Sequence, residues 1–363
     1  MNGIAGRKED ALENGNGVEE IDEPEIKRIK SDVNIVNEVE VNPEECNIDI
    51  PIKSVKDLEA ACCSRDRTIS YYLNCGGVPD VCKQKDCILG IDEAGRGPVL
   101  GPMVYGISYL PKEFEVDLKG TGCNDSKQLT EKKREDIFDQ LCSLGDKIGW
   151  EAEVISPTYI SNCMLRRQKT SLNEISHTAA IELVKRALAG GAKITEIYVD
   201  TVGPAEKYED KLQGIFPAQK VTVRSKADAI YPVVGAASIV AKVTRDVALK
   251  GWDMSGLKSA TDDSPETLSW GSGYPNDPLT KTFLTETIDP VFGFLDVVRF
   301  SWSTAEKILD EHAVSVEWED EEMLSKNKGV QKIRNFFSAT VDLTVKERHR
   351  FLKERQLSSV IDF

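Results

Sequence analysis

The sequence predicts an α/β fold: a mixed five-stranded sheet flanked by helices, with a helical C-terminal extension. Three observations lead there. Short apolar runs stop at acidic residues, as in CILGID at 87–92 and EIYVD at 196–200, the pattern of strands buried on both faces. Other segments alternate, as strands covered on one face do. The later strands are separated by helix-period segments bounded by caps and glycines.

Taken in order, 87–91 is the first strand and 102–110 (PMVYGISYL) the second. Thr130 can cap a helix through about Cys142, with Ile137, Phe138 and Leu141 on one face. Residues 148–155 alternate again and make the third strand. Ser171 and Glu174 have the spacing of a capping box. Leu172, Ile175, Ala179, Leu183 and Ala187 follow at helical intervals until Gly190-Gly191. Residues 196–200 and 220–224 (KVTVR) are the fourth and fifth strands. From 232 to 250 the small residues Gly235, Ala236, Ala237 and Ser238 predict a closely packed helix. Parallel strands joined by helices place the first strand beside the fourth.

Composition bounds the rest. With 40% hydrophobic and 29% charged residues, the 363-residue chain has the make-up of a soluble globular protein. It has no apolar stretch of membrane-spanning length. Its N-terminus lacks the apolar core of a secretory signal, so the expected location is the cytosol or nucleus. The net charge of −15 is uneven: residues 1–60 hold 16 Asp/Glu against 7 Lys/Arg, and 306–326 hold 8 against 2. The body between is close to neutral, so local basic patches can still meet phosphates. The first segment reads as an acidic, largely disordered extension through residue 78, and 304–363 as a helical, charged one. Lys27-Arg28-Ile29-Lys30 reads as an ordinary charged patch ahead of a nuclear-import signal. The nine cysteines, odd in number and irregularly spaced, form no disulfide framework. Cys62, Cys63, Cys75, Cys82 and Cys87 lack zinc-site spacing and read as buried, reduced thiols. The three histidines, His177, His312 and His349, read as surface or capping residues and supply histidine-base chemistry poorly.

Chemistry concentrates at strand ends. Asp92 and Glu93 follow the first strand, Asp200 ends the fourth, and Asp228 follows the fifth. Ligands of open α/β sheets bind beyond the carboxyl ends of strands. Carboxylates gathered there repel one another, and a hard divalent cation relieves that repulsion. Strand-end aspartates also serve as turn caps, and the pattern alone supports both readings. Gly95-Arg96-Gly97 is either a turn or a loop that brings backbone N–H groups and a guanidinium to a phosphate. Asn124-Asp125-Ser126-Lys127 is a capped turn or a phosphate contact, and Tyr274 in Gly271–Pro275 a surface turn residue or a stacking platform.

Six motifs in this order resemble type 2 ribonuclease H: 92–98 (DEAGRGP), 125–129 (DSKQL), 199–203 (VDTVG), 226–229 (KADA), 236–242 (AASIVAK) and 271–275 (GSGYP). With 291–294 (VFGF) and 299–302 (RFSW), the resemblance is to the catalytic subunit of the eukaryotic enzyme and spans about 79–310. It implies a ribonuclease H-like fold with a catalytic domain over 79–303. The implied activity is cleavage of RNA in RNA–DNA hybrids and incision 5′ of single ribonucleotides in duplex DNA, leaving a 3′-hydroxyl and a 5′-phosphate. Asp92, Glu93, Asp200 and Asp228 match the catalytic ligands of two divalent ions, Mg2+ or Mn2+. Gly95, Arg96 and Gly97 match a loop that senses the ribose 2′-hydroxyl, Lys127 a phosphate contact, and Tyr274 a residue packed on the sugar. The resemblance further implies two non-catalytic subunits in a heterotrimer, docking on the C-terminal extension, with nuclear work in replication and ribonucleotide repair. Val330, Ile333, Phe336 and Phe337 faintly match a sliding-clamp binding box without its leading glutamine, and a packing helix is the favoured reading.

Overall fold

The computed structural model describes residues 51–123, 129–252 and 269–315. In chain order the elements are α1 (Val55–Cys63), β1 (Tyr71–Asn74), α2 (Asp80–Gln84), β2 (Cys87–Ala94), β3 (Met103–Pro111), α3 (Glu115–Gly120), α4 (Glu131–Ser143), β4 (Gly149–Ile155) and α5 (Pro157–Leu165). Then come α6 (Leu172–Ala189), β5 (Ile194–Asp200), α7 (Ala205–Ile215), β6 (Lys220–Arg224), α8 (Ala227–Ile230), α9 (Pro232–Lys250), α10 (Pro278–Thr287) and α11 (Ser303–His312). Among the described residues no helix is long and apolar enough to cross a membrane.

The described residues divide into two units, the first containing those of 51–94, 103–155 and 173–251. Its sheet runs β1-β4-β3-β2-β5-β6. The first four strands pair antiparallel, and β2, β5 and β6 are parallel. The adjacency of the Asp92 strand and the Asp200 strand is as the alternation of strands and helices predicted. The sheet has six strands, not five. The extra one, β1, pairs Tyr71 with Val154 at an edge and buries only Tyr71 and Leu73, too short a pattern to stand out.

Within the extension through residue 78, read as largely disordered, the described residues from 51 on hold α1 and β1. Ser54 caps α1 by accepting the Asp57 N–H, and Val55, Leu58 and Cys62 turn inward. Net acidity across 1–60 concealed this apolar spacing at its end. Residues 1–50, with the Lys27–Lys30 patch, lie outside the described residues, as do 253–268 and 316–363. Of the early cysteines, Cys62, Cys82 and Cys87 are buried as expected, Cys75 is half-buried, and Cys63 is exposed.

Helix α9 lies across one face of the sheet, and two glycines permit it. A Cβ at Gly90 would stand 2.4 Å from the Val233 carbonyl carbon, and one at Gly106 would stand 2.8 Å from the Ala237 oxygen. The Ser108 hydroxyl also donates to the Val233 carbonyl at 2.7 Å. Asp92 pairs opposite Gly106, and Glu93 opposite Tyr105. Alternation along the strand therefore puts Asp92 on the α9 face and Glu93 on the other.

That other face carries a half-buried acid, Glu153. Glu153 has its Oε2 buried without a hydrogen-bond partner among the described residues. Burial, then the charge of Glu182, pushes its carboxyl up to about 7 against the opposing pull of Tyr72 and Arg186. The unfolded chain releases this proton near the ordinary carboxylate range and the folded chain only near 7, so its stability contribution is lost as pH rises through 7. Glu153→Gln is expected to stabilise the protein by roughly 2 kcal/mol at pH 8 and by little at pH 4.5. Urea unfolding at the two pH values checks this, and an equal effect at both contradicts it.

The second unit holds Gly95–Pro102, Ser156–Leu172 and, from Trp252 on, the described residues. Within it, Leu100 and Val298 form an antiparallel bridge. Asp277 caps α10, and Ala305 and Ile308 are the buried residues of α11.

Candidate active site

Asp92, Asp200 and Asp228 each offer a carboxylate oxygen, and these oxygens lie within 4.8 Å of one another. Parallel pairing of β2 with β5 aligns the first two strands, and the short α8 carries Asp228 in its first turn. Asp92 and Asp228 are buried and Asp200 is half-buried. Glu93 is half-buried and is not among the three.

Two backbone devices hold Asp200. Its Oδ1 accepts from the N–H of Thr201 at 3.0 Å and of Ala227 at 3.2 Å. The second bond depends on Lys226, the one non-glycine residue with positive φ (60°) among those described. That left-handed turn at the start of α8 links the two aspartates.

Asp92 is buried and contacted from several sides. Burial pushes its carboxyl up to about 7 and the Asp200 charge adds to this, while the Ser238 hydroxyl, the Glu93 N–H and Lys242 act against it. The Glu93 N–H donates at 2.8 Å. Lys242 donates to the Ser238 hydroxyl at 2.9 Å, one helical turn away on α9. Three carboxylates so close, one held against its ionisation, form an all-oxygen donor set. Such a set suits a hard divalent ion of the magnesium or manganese kind, and neutralisation by that ion would favour the ionised Asp92. No second group of three His, Cys, Asp or Glu ligands occurs among the described residues.

The Gly95-Arg96-Gly97 loop belongs to the second unit. Buried Arg299 donates to the carbonyls of Gly95 at 2.6 Å, Arg96 at 3.1 Å and Gly101 at 2.9 Å. The Trp302 indole donates to the Gly97 carbonyl at 3.0 Å, and Arg299 lies over its ring at 4.8 Å. A trans peptide points its N–H opposite to its carbonyl. The N–H groups of Arg96 and Gly97 therefore face away from Arg299. Gly95 has φ +76°, a conformation that favours glycine.

Half-exposed Tyr274 belongs to the same loop system: a Cβ at Gly97 would stand 3.2 Å from its Cε1. Val99 N–H donates to the Gly273 carbonyl at 2.8 Å, tying the two segments together. A recess of ≈ 470 Å³ is lined by Arg96, Gly97, Met164, Leu172 and Trp302 among others. Lys127 lies outside the described residues. Sequence reading gave no site role to Lys226, Ser238, Lys242, Arg299 or Trp302, although all five fall within the motifs 226–229, 236–242 and 299–302; only Lys226 stands close to one of the acids in sequence. No periodicity marks a residue whose work is to hold a neighbouring backbone.

The family model described as ribonuclease HII matches residues 89–305. The chain is similar to a ribonuclease H2 subunit of Bos taurus, 48% identical over 282 residues that make up 78% of this chain and 92% of that protein. The Homo sapiens protein of the same name is 47% identical over 284 residues, with the same coverage. Among solved structures, ribonuclease H2 from Pyrococcus horikoshii OT3 is 33% identical, with a TM-score of 0.50 over 62% of this chain and 98% of that one.

Proposed function

The chain belongs to the ribonuclease HII family and is a ribonuclease H of the type 2 catalytic-subunit kind, and from that premise we propose that it hydrolyses RNA in RNA–DNA hybrids and incises duplex DNA 5′ of single ribonucleotides. The cut leaves a 3′-hydroxyl and a 5′-phosphate. The observation that carries the reading is the convergence of Asp92, Asp200 and Asp228 on one small volume.

In this reading those three residues and Glu93 hold two divalent ions, Mg2+ or Mn2+. Bound there, such ions would supply an activated water and would offset charge on the phosphate. Asp92 is fixed by the Glu93 N–H and Ser238, and Asp200 by two backbone N–H groups. The carboxylates are thus oriented before substrate arrives, as electrostatic catalysis requires. The Gly95-Arg96-Gly97 loop, with its carbonyls taken up by Arg299 and Trp302, offers its N–H groups to the ribose 2′-hydroxyl, the group that separates RNA from DNA. Tyr274 packs on the sugar, and Lys127 meets a phosphate. Two non-catalytic subunits dock on the extension from residue 304, and the sliding clamp is a weaker candidate partner. The site of action is the nucleus, in replication and ribonucleotide excision repair.

A matched pair of duplexes tests this, identical except for one ribonucleotide, with and without Mg2+, using the chain in complex with its partner subunits where they are needed. The expected result is nicking of the ribonucleotide duplex alone, on its 5′ side and only with the metal. Attack on the all-DNA duplex, or on mononucleotides, would assign the site to another metal-dependent nuclease or a phosphatase.

A further inference from the structure

We propose that His177 is a positioning residue for the metal site, holding the turn that follows Asp200 through one hydrogen bond in one tautomer. The proposal deepens the reading above and rests on Asp200 being a metal ligand. His177 sits on α6, and its Nε2 lies 3.5 Å from the Val202 carbonyl, two residues beyond Asp200. Its Nδ1 lies 3.4 Å from the Lys211 Nζ on α7. A carbonyl only accepts and an ammonium only donates. Both neighbours therefore select the same form: neutral imidazole, proton on Nε2, lone pair on Nδ1.

The ring is held in place as well as in tautomer. It stacks on buried Tyr208 of α7, with centroids 3.9 Å apart and planes 12° from parallel. Val202 is buried, the Thr201 hydroxyl donates to the Gly203 carbonyl at 3.1 Å, and the Thr201 N–H donates to both the Arg224 carbonyl and the Asp200 carboxylate. The turn 201–203 is therefore short, internally bonded and continuous with Asp200. A displacement at the Val202 carbonyl passes to the peptide that holds the Asp200 oxygen. His177 is thus the α6 contact in a chain that runs from helix to turn to carboxylate, although as a residue type in the sequence it reads as an ordinary surface histidine. Groups that orient a ligand at one remove are worth about 10–100-fold in metal affinity.

The test is Mn2+ binding to the full-length chain by calorimetry, with Mg2+-dependent nicking kinetics as a second readout. His177→Phe keeps the ring stack and loses the donor. It should weaken Mn2+ binding about tenfold, lower kcat at limiting Mg2+, and leave KM for the duplex unchanged. His177→Gln places an amide N–H where Nε2 stood and should restore both to within about threefold of the parent. Full affinity in His177→Phe overturns the proposal, and so does a His177→Gln chain that binds as poorly as His177→Phe. Should His177→Phe not fold, Lys211→Met replaces it: removing the tautomer's second partner should weaken Mn2+ binding, and unchanged affinity overturns the proposal. If the parent chain itself binds no Mn2+, or binds it equally after Asp200→Asn, then the metal-site reading has failed and not merely the role of His177.

Discussion

Asp92→Asn is expected to lower ribonucleotide-directed nicking by about a thousandfold or more while raising the melting temperature of the metal-free chain. The two effects share one cause. Asp92 is buried, and its carboxyl is pushed up to about 7 by that burial and by the charge of Asp200. At pH 8 the folded chain must keep an ionised group where ionisation is disfavoured. Asparagine has the same shape without the charge, so the repulsion and the desolvation cost both disappear. A gain of roughly 1–2 kcal/mol corresponds to about 2–6 °C for a chain of this size. The same change removes an anionic ligand from the Asp92, Asp200 and Asp228 cluster. Nicking rates and thermal unfolding at pH 8 without divalent ions check both halves. A variant that is inactive and less stable would point to simple misfolding, and an active variant would remove Asp92 from the chemistry.

Arg299→Leu is expected to destabilise the second unit by on the order of 3–5 kcal/mol. Its guanidinium is fully buried and takes three carbonyls, those of Gly95, Arg96 and Gly101. Leucine fills much of the space and leaves all three without their donor. Arg299→Lys is the sharper probe. An ammonium keeps the charge but lacks the planar fork that reaches carbonyls on both sides of a loop. The lysine variant should therefore recover part of the stability and little of the discrimination between ribonucleotide and all-DNA duplexes. Denaturant unfolding combined with the matched-duplex assay measures both. Normal discrimination in a folded Arg299→Lys chain would show that the Gly95–Gly97 backbone does not depend on this arginine.

What was legible in the sequence follows from how strongly each feature marks the chain. The strand carrying Asp92 announces itself because a strand buried on both faces is a continuous apolar run that breaks at its functional end. The Asp200 strand was expected to be buried on both faces and instead alternates buried with half-buried residues. Helix α9 was readable from its small residues, and Gly90 and Gly106 let the sheet approach its backbone closely at Val233 and at Ala237. Strand β1 was not, since four residues at a sheet edge bury only two side chains. Helix α1 was lost inside an acidic stretch whose average hid the spacing of Val55, Leu58 and Cys62.

The acids could be picked out as candidates from their places at strand ends, but that pattern left them open between turn caps and ligands, and the resemblance to type 2 ribonuclease H supplied the ligand reading. Their supports were harder to see. The contact of Ser238 with Asp92 depends on the register of α9 against the sheet. The Ala227 N–H reaches Asp200 only because Lys226 takes a left-handed conformation. Arg299 stands about two hundred residues from the loop it holds, and its partners are backbone carbonyls, which every residue possesses.

Whether acids from distant parts of the chain meet to share cations is tested most directly by diffraction at the manganese edge from crystals grown with Mn2+. The expected result is anomalous density about 2 Å from oxygens of Asp92, Asp200 and Asp228, with Glu93 contributing to the same centre. Crystals saturated with Mn2+ that show no such density between those three side chains would contradict it.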